Sequence, residues 1–325
     1  MIENIVSVEL PVHENLVIKK KRIMPKGLDS KALSKCPRIS IVTGIHGDEL
    51  DGQYIIYELI RHINMHEDDL KGIIDIYPCV NPLGLDSGYR GIPMFDLDMN
   101  RVFPGMSNGA FAEYVAANLI NDIIGSDMCL DIHSSNKFIK EMLQVRLNDD
   151  NEEKLLPYAK TLNADFVWVY SSLPVREATL SYSLNHLGVP TMVVEMGVGN
   201  RISKSYCKQL FEGILNLLKE VGVFKGNTLP VKEPIVSKEG EVTFISAKDS
   251  GLFVPNIENL GEIKAGDYIG DIIEPIEGRI LQHLESPVDG IIFTIREHPV
   301  VYKGALLCRI YHKDWLEWLK RQYLV

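Results

Sequence analysis

Cysteine is scarce in this chain and carries no pattern. The five residues, Cys36, Cys79, Cys129, Cys207 and Cys308, are odd in number and form no CxxC pair. Neither a disulfide framework nor a thiolate metal knuckle is expected. Cys79 and Cys129 stand in apolar runs, where a free thiol behaves as a small hydrophobe. Long hydrophobic runs are missing too. No stretch approaches the roughly 18 apolar residues that suggest a membrane span. The opening MIENIVSVELPVHENLVI places acids where a leader would be continuously apolar. A reduced, cytoplasmic protein with no membrane partner is the expectation. Positive charge is in deficit, with 34 Lys+Arg against 44 Asp+Glu and a net charge of −10. That balance excludes a general nucleic-acid binder, which needs a basic face. The one basic cluster, KKKR at Lys19 to Arg22, reads as a solvated strand face.

What is present suits a globular protein. At 325 residues and 46% hydrophobic, the chain has material for about two domains and a sizeable core. Apolar runs of strand length alternate with helix-like segments. RISIVTG (38–44), GIIDIYPCVNP (72–82), DMCLDIHSS (127–135), ADFVWVY (164–170) and PTMVVEMGVG (190–199) read as strands. Segments 51–64, 108–124, 179–188 and 209–222 read as helices. This alternation predicts an α/β domain with a largely parallel sheet, preceded by a β-hairpin over about residues 1–30. After the connector KGNTLPVKEP (225–234) the pattern changes to short, glycine-punctuated strands. The expected division is residues 1–225 and an all-β module over 226–325.

The stretch IVTGIHGDELDG (41–52) ends a buried strand and then supplies an imidazole and carboxylates. The carboxyl end of a strand is where open α/β sheets bind ligands, and His46 with Glu49 offers one nitrogen and one oxygen ligand of the kind zinc takes. His133 in CLDIHSS offers a third, with Asp131 on the same strand face as a candidate outer partner. Two histidines, one carboxylate and an open position form a set that activates water. Glu195, after an apolar run in TMVVEMGVG, is the candidate general base. Arg90 and Arg101, on the Gly- and Pro-containing loop 86–105, suit oxyanion stabilisation and carboxylate recognition, with Asn100 adding an amide. Arg146, Arg176 and Tyr182 are further candidates for polar substrate contacts. Each residue has a plainer reading: a helix N-terminal pair answering the helix dipole for His46 and Glu49, a core histidine for His133, an ion pair for Glu195, a loop cap for Arg101. Their joint occurrence at strand ends and loops of one domain favours a site. The remaining histidines read as structural or surface residues.

HGDE (46–49), NP (81–82), DMNRVFPG (98–105), DIHSS (131–135) and VVEMG (193–197) occur in an order that resembles the succinylglutamate desuccinylase/aspartoacylase family of the zinc carboxypeptidase clan. The resemblance implies a zinc-carboxypeptidase-like mixed, largely parallel sheet with flanking helices. It implies one Zn2+ per chain on His46, Glu49 and His133, with Glu195 as general base. Asn100 and Arg101 would hold the substrate carboxylate, and Arg90 would polarise the scissile carbonyl. The C-terminal segment is similar to the lipoyl/biotinyl barrel-sandwich pattern but has Arg279 and no lysine in EGRILQ, so a small covering barrel is expected rather than a cofactor carrier.

The expected function is zinc-dependent amide hydrolysis of a small N-acyl amino acid or related compound. A metallocarboxypeptidase trimming short peptides would use the same core. A non-catalytic metal- or ligand-binding protein is the reading from another class, and Glu195 speaks against it. A homo-oligomer is the default assembly.

Overall fold

The computed structural model describes residues 1–171, 177–238, 241–257 and 260–312. The chain opens with a hairpin of β1 (Ile2–Glu9) and β2 (Asn15–Ile23), followed by a short helix, α1 (Ser30–Leu33). Then come β3 (Arg38–Val42), α2 (Asp51–Met65), β4 (Ile73–Tyr77), α3 (Pro82–Ser87), α4 (Phe111–Ile123) and β5 (Met128–Ile132). β6 (Ile139–Asn148), α5 (Glu152–Ala159), β7 (Phe166–Tyr170), α6 (Leu180–His186), β8 (Thr191–Gly197) and α7 (Lys204–Glu220) complete the α/β region. The expected strands and helices are found there. β6 and α5 were not anticipated.

The central sheet runs β1-β2-β4-β3-β5-β8-β6, with β7 also paired to β6. The pairs β3/β4, β3/β5, β5/β8 and β6/β7 are parallel, while the N-terminal hairpin joins antiparallel through β2/β4. β6 also runs antiparallel to β8 and sets Gln144 opposite Glu195. Helices cover both faces. On one, Ile55, Ile56, Leu59 and Ile63 of α2 form a stripe that shares a core with Leu210, Ile214 and Leu217 of α7. On the other, Val115, Leu119, Ile120 and Ile123 of α4 pack with Leu180 and Leu184 of α6.

Lys19–Arg22 is not a uniformly solvated face. Period-two alternation turns Lys20 and Arg22 to one side of β2. Lys20 is buried at 3% exposure and meets Asp122 at 2.7 Å, and Arg22 grips the buried Asp75 with two bonds of 2.7 Å.

The C-terminal strands are β9 (Ile235–Lys238), β10 (Val242–Ser246), β11 (Gly251–Pro255), β12 (Gly261–Ile263), β13 (Tyr268–Glu274), β14 (Arg279–Glu285), β15 (Gly290–Arg296), β16 (Val300–Val301) and β17 (Leu306–Tyr311). A four-stranded antiparallel sheet has the order β14-β13-β11-β16, and Phe253, Ile269, Ile272 and Leu284 from it share a core with Ile292, Ile295, Leu307 and Ile310. β15 and β17 are continuous with the central sheet, because β15 pairs with β6 and places Thr294 opposite Glu141.

Candidate active site

The loop after β3 builds the centre of the site. Gly44 takes φ of +66°, a turn that an L side chain rarely adopts, directly after the strand. Gly47 passes so close to α3 that an added Cβ would stand 1.9 Å from the Gly84 carbonyl carbon. The path between them carries His46 and Glu49 inward, at 2% and 4% exposure. α2 begins only at Asp51, so Glu49 lies outside its first turn and is not answering the helix dipole. His133 follows β5 immediately and is 3% exposed.

Glu49 is the hub. Its Oε1 lies 2.7 Å from His46 Nδ1 and its Oε2 lies 2.8 Å from His133 Nδ1, while Arg90 Nη1 donates to Oε1 at 2.7 Å. Each imidazole turns its other nitrogen to a second carboxylate. His46 Nε2 is 3.0 Å from Asp98 Oδ1, and His133 Nε2 is 3.1 Å from Asp131 Oδ1. Burial disfavours imidazolium at both rings, yet the flanking carboxylates reverse that and shift both upward. Burial likewise opposes ionisation of Glu49, and the two imidazoles still hold its carboxyl far below the usual range.

This arrangement fits a metal ion. One ligand atom each from His46, Glu49 and His133 lies within 4.8 Å of the others, all three residues buried. With hydrogen on Nε2, facing Asp98 or Asp131, each ring presents its Nδ1 lone pair toward the Glu49 oxygens. Lone pairs facing a carboxylate at such distances repel unless a proton or a cation lies between them. An outer carboxylate on each histidine is also the usual support for a ligating imidazole.

The three residues open on a cavity of about 270 Å3 whose lining includes Arg90, Asn100, Arg101, Arg146 and Glu195. The eight residues nominated for catalysis, metal binding and substrate binding therefore converge on one cleft. Their surroundings differ. Arg101 is exposed, and its Nη1 donates to the Asn100 carbonyl at 2.7 Å. Asn100 uses its side-chain oxygen to accept from the Leu180 amide at 2.9 Å, pinning the loop to α6. Arg146 donates to Glu195 at 3.2 Å and to both oxygens of Glu141 at 3.0 Å. Burial pushes Glu195 upward, with the Arg146 charge opposing. Tyr182 lines a smaller adjoining cavity, and Arg176 lies outside the described residues.

Four contributors escaped the sequence reading. Asp98 stood inside the motif DMNRVFPG, and its spacing from His46 gave no cue. Glu141 lies on the unanticipated β6. Trp168 and Arg309 line the same cleft, the latter from β17, where its sequence context reads as an ordinary strand of the C-terminal region.

A model of the succinylglutamate desuccinylase/aspartoacylase catalytic domain matches residues 35–221. The chain is 25% identical over 240 residues to the N-alpha-acetyl-L-2,4-diaminobutyric acid deacetylase of Halomonas elongata, covering 72% of this chain and 67% of that protein. It is 24% identical over 285 residues to a probable aspartoacylase of Nostoc sp., covering 84% and 89%. A crystal structure of succinylglutamatedesuccinylase/aspartoacylase from Rhodobacter sphaeroides superposes with a TM-score of 0.78 at 22% identity, covering 94% of both chains.

Proposed function

The chain belongs to the succinylglutamate desuccinylase/aspartoacylase family, and on that premise we propose that it hydrolyses the amide bond of a small N-acyl amino acid or related compound, with zinc as its metal. The observation that carries this reading is the convergence of two imidazoles, three glutamates and four arginines on one cleft of about 270 Å3. A space of that size suits a small ligand. The deacetylase and aspartoacylase names of the relatives point the same way.

His46, Glu49 and His133 would hold the metal, which when bound supplies Lewis acidity and makes water a stronger acid. Asn100 and Arg101 bind the substrate carboxylate at the cleft mouth, where the Arg101 guanidinium meets no carboxylate among the described residues. Arg90, whose Nη1 donates to Glu49, would donate from its guanidinium to an oxyanion developing on the scissile carbonyl. Glu195 accepts a proton from the attacking water and passes it to the departing amine. A base here is what a protein that merely binds metal has no use for. Residues 1–225 form the catalytic domain in this reading, and residues 226–325 a barrel-sandwich-like module over the cleft.

Amine release from a panel of N-acyl amino acids and short peptides tests this. Chelator-sensitive release from one acyl amino acid, restored by zinc and lost in Glu195→Gln with zinc content intact, is expected. Release from peptides alone would favour the carboxypeptidase. Native turnover in Glu195→Gln would remove that residue from the mechanism.

A further inference from the structure

The C-terminal module reaches the cleft through Arg309. Its Nη1 donates to Glu141 Oε1 at 2.7 Å, and Thr294, its cross-strand partner, donates its hydroxyl to the same oxygen at 3.3 Å. Glu141 is 1% exposed and also receives Arg146 on both oxygens at 3.0 Å. Arg146 then extends Nη1 to Glu195 at 3.2 Å. The guanidinium carbons of Arg146 and Arg309 lie 5.7 and 5.4 Å from the Trp168 ring centroid, so one indole steadies both. The result is a chain of alternating charge: Arg309, Glu141, Arg146, Glu195.

The balance of that chain decides where Arg146 sits. Its bonds to Glu141 are two and shorter, while its bond to Glu195 is single and longer. Without Arg309, the buried Glu141 would have one cation left, and an unshared buried carboxylate draws its remaining partner strongly. We propose that Arg309 is a positioning residue for Glu195: it shares the charge of Glu141, which competes with Glu195 for Arg146, and so leaves Arg146 able to hold the Glu195 carboxylate at the cleft. The C-terminal module thereby completes the general-base end of the site. This rests on the reading of Glu195 as the base.

Two measurements test it, one independent of activity. Crystal structures of the native protein and Arg309→Gln are expected to show the Arg146–Glu195 pair opened in the variant. An unchanged pair overturns the proposal, whether or not the protein is a deacylase. In kinetics, on a substrate that the native enzyme turns over, Arg309→Gln lowers kcat by on the order of 100-fold, the scale of a small misplacement, with KM and zinc content close to native. The double variant Glu141→Gln/Arg309→Gln removes both charges and recovers most of the loss, because Arg146 then keeps Glu195 as its carboxylate partner. A loss confined to KM, or no recovery in the double variant, overturns the proposal. Should Arg309→Gln fail to fold, the double variant and Arg309→Lys carry the test, with near-native kcat expected in both and a large loss in both overturning it. Absence of turnover by the native enzyme counts against the deacylase reading alone.

Discussion

A general base near neutral pH must hold its proton neither too weakly nor too firmly, and Glu195 is pulled both ways. Burial raises its affinity for a proton, and the Arg146 charge lowers it, with burial the larger effect. The base acts as carboxylate, so activity rises as pH climbs through its pKa and is lost below it. The acidic limb of kcat/KM in the native enzyme is therefore expected above the ordinary carboxylate range of about 4. Arg146→Gln removes the opposing charge and moves the limb to higher pH. A limb at the ordinary value, or a downward move in the variant, would separate the observed pH dependence from Glu195. At this scale much was legible. His46, Glu49, His133 and Glu195 each break an apolar strand pattern with a group that a buried strand end has no packing use for. Asp98 and Glu141 break nothing in their local context, because one sits on a polar loop and the other on a strand rich in charge.

Elements behave similarly. α2, α4 and α7 have an apolar stripe at three-to-four spacing, and β3, β4 and β5 are nearly unbroken hydrophobic runs, so local pattern and final burial agree. β6, IKEMLQVRLN, carries two Lys/Arg side chains, Glu141 and Gln144, and its composition resembles a linker. It is a strand because β8, β7 and β15 satisfy its backbone and the cleft accepts its polar face. The loop between β3 and α2 depends on close approach. Gly47→Ala would push Cβ into the Gly84 backbone, whose carbonyl oxygen stands 2.2 Å from the ideal position. The expected outcome is a stability loss of about 1–3 kcal/mol, typical of overpacking, together with weaker zinc binding by titration calorimetry. Zinc affinity equal to the native value would mean that the loop can yield without moving His46 and Glu49.

At the scale of the molecule, the two sequence regions are joined by strand pairing. β15 zips onto β6, and β9 runs parallel to β7. Across that junction Phe166 stacks on Phe293 at 4.9 Å, with Met142, Trp168, Ile291 and Tyr311 around them. A chain cut after residue 225 would leave the aromatic cluster and the free strand edges in water, a template for aggregation. Light scattering and thermal unfolding of the fragment are expected to show association and no cooperative transition. A monomeric fragment with a sharp transition would establish that the first region folds alone.

Composition, periodicity and motif order were enough for the α/β class, the change of pattern near residue 225, the likeness to a metallohydrolase family and the nomination of eight cleft residues, because each of those signals is written within some ten residues of chain. Only the tertiary structure decided that Asp98 backs His46, as Asp131, nominated from the strand pattern, backs His133, that Arg146 faces Glu195 and Glu141 together, and that Arg309 joins them from β17. Charge pairing of that kind depends on which strands become neighbours, and Glu141 and Arg309 stand far apart in the chain until β15 settles against β6.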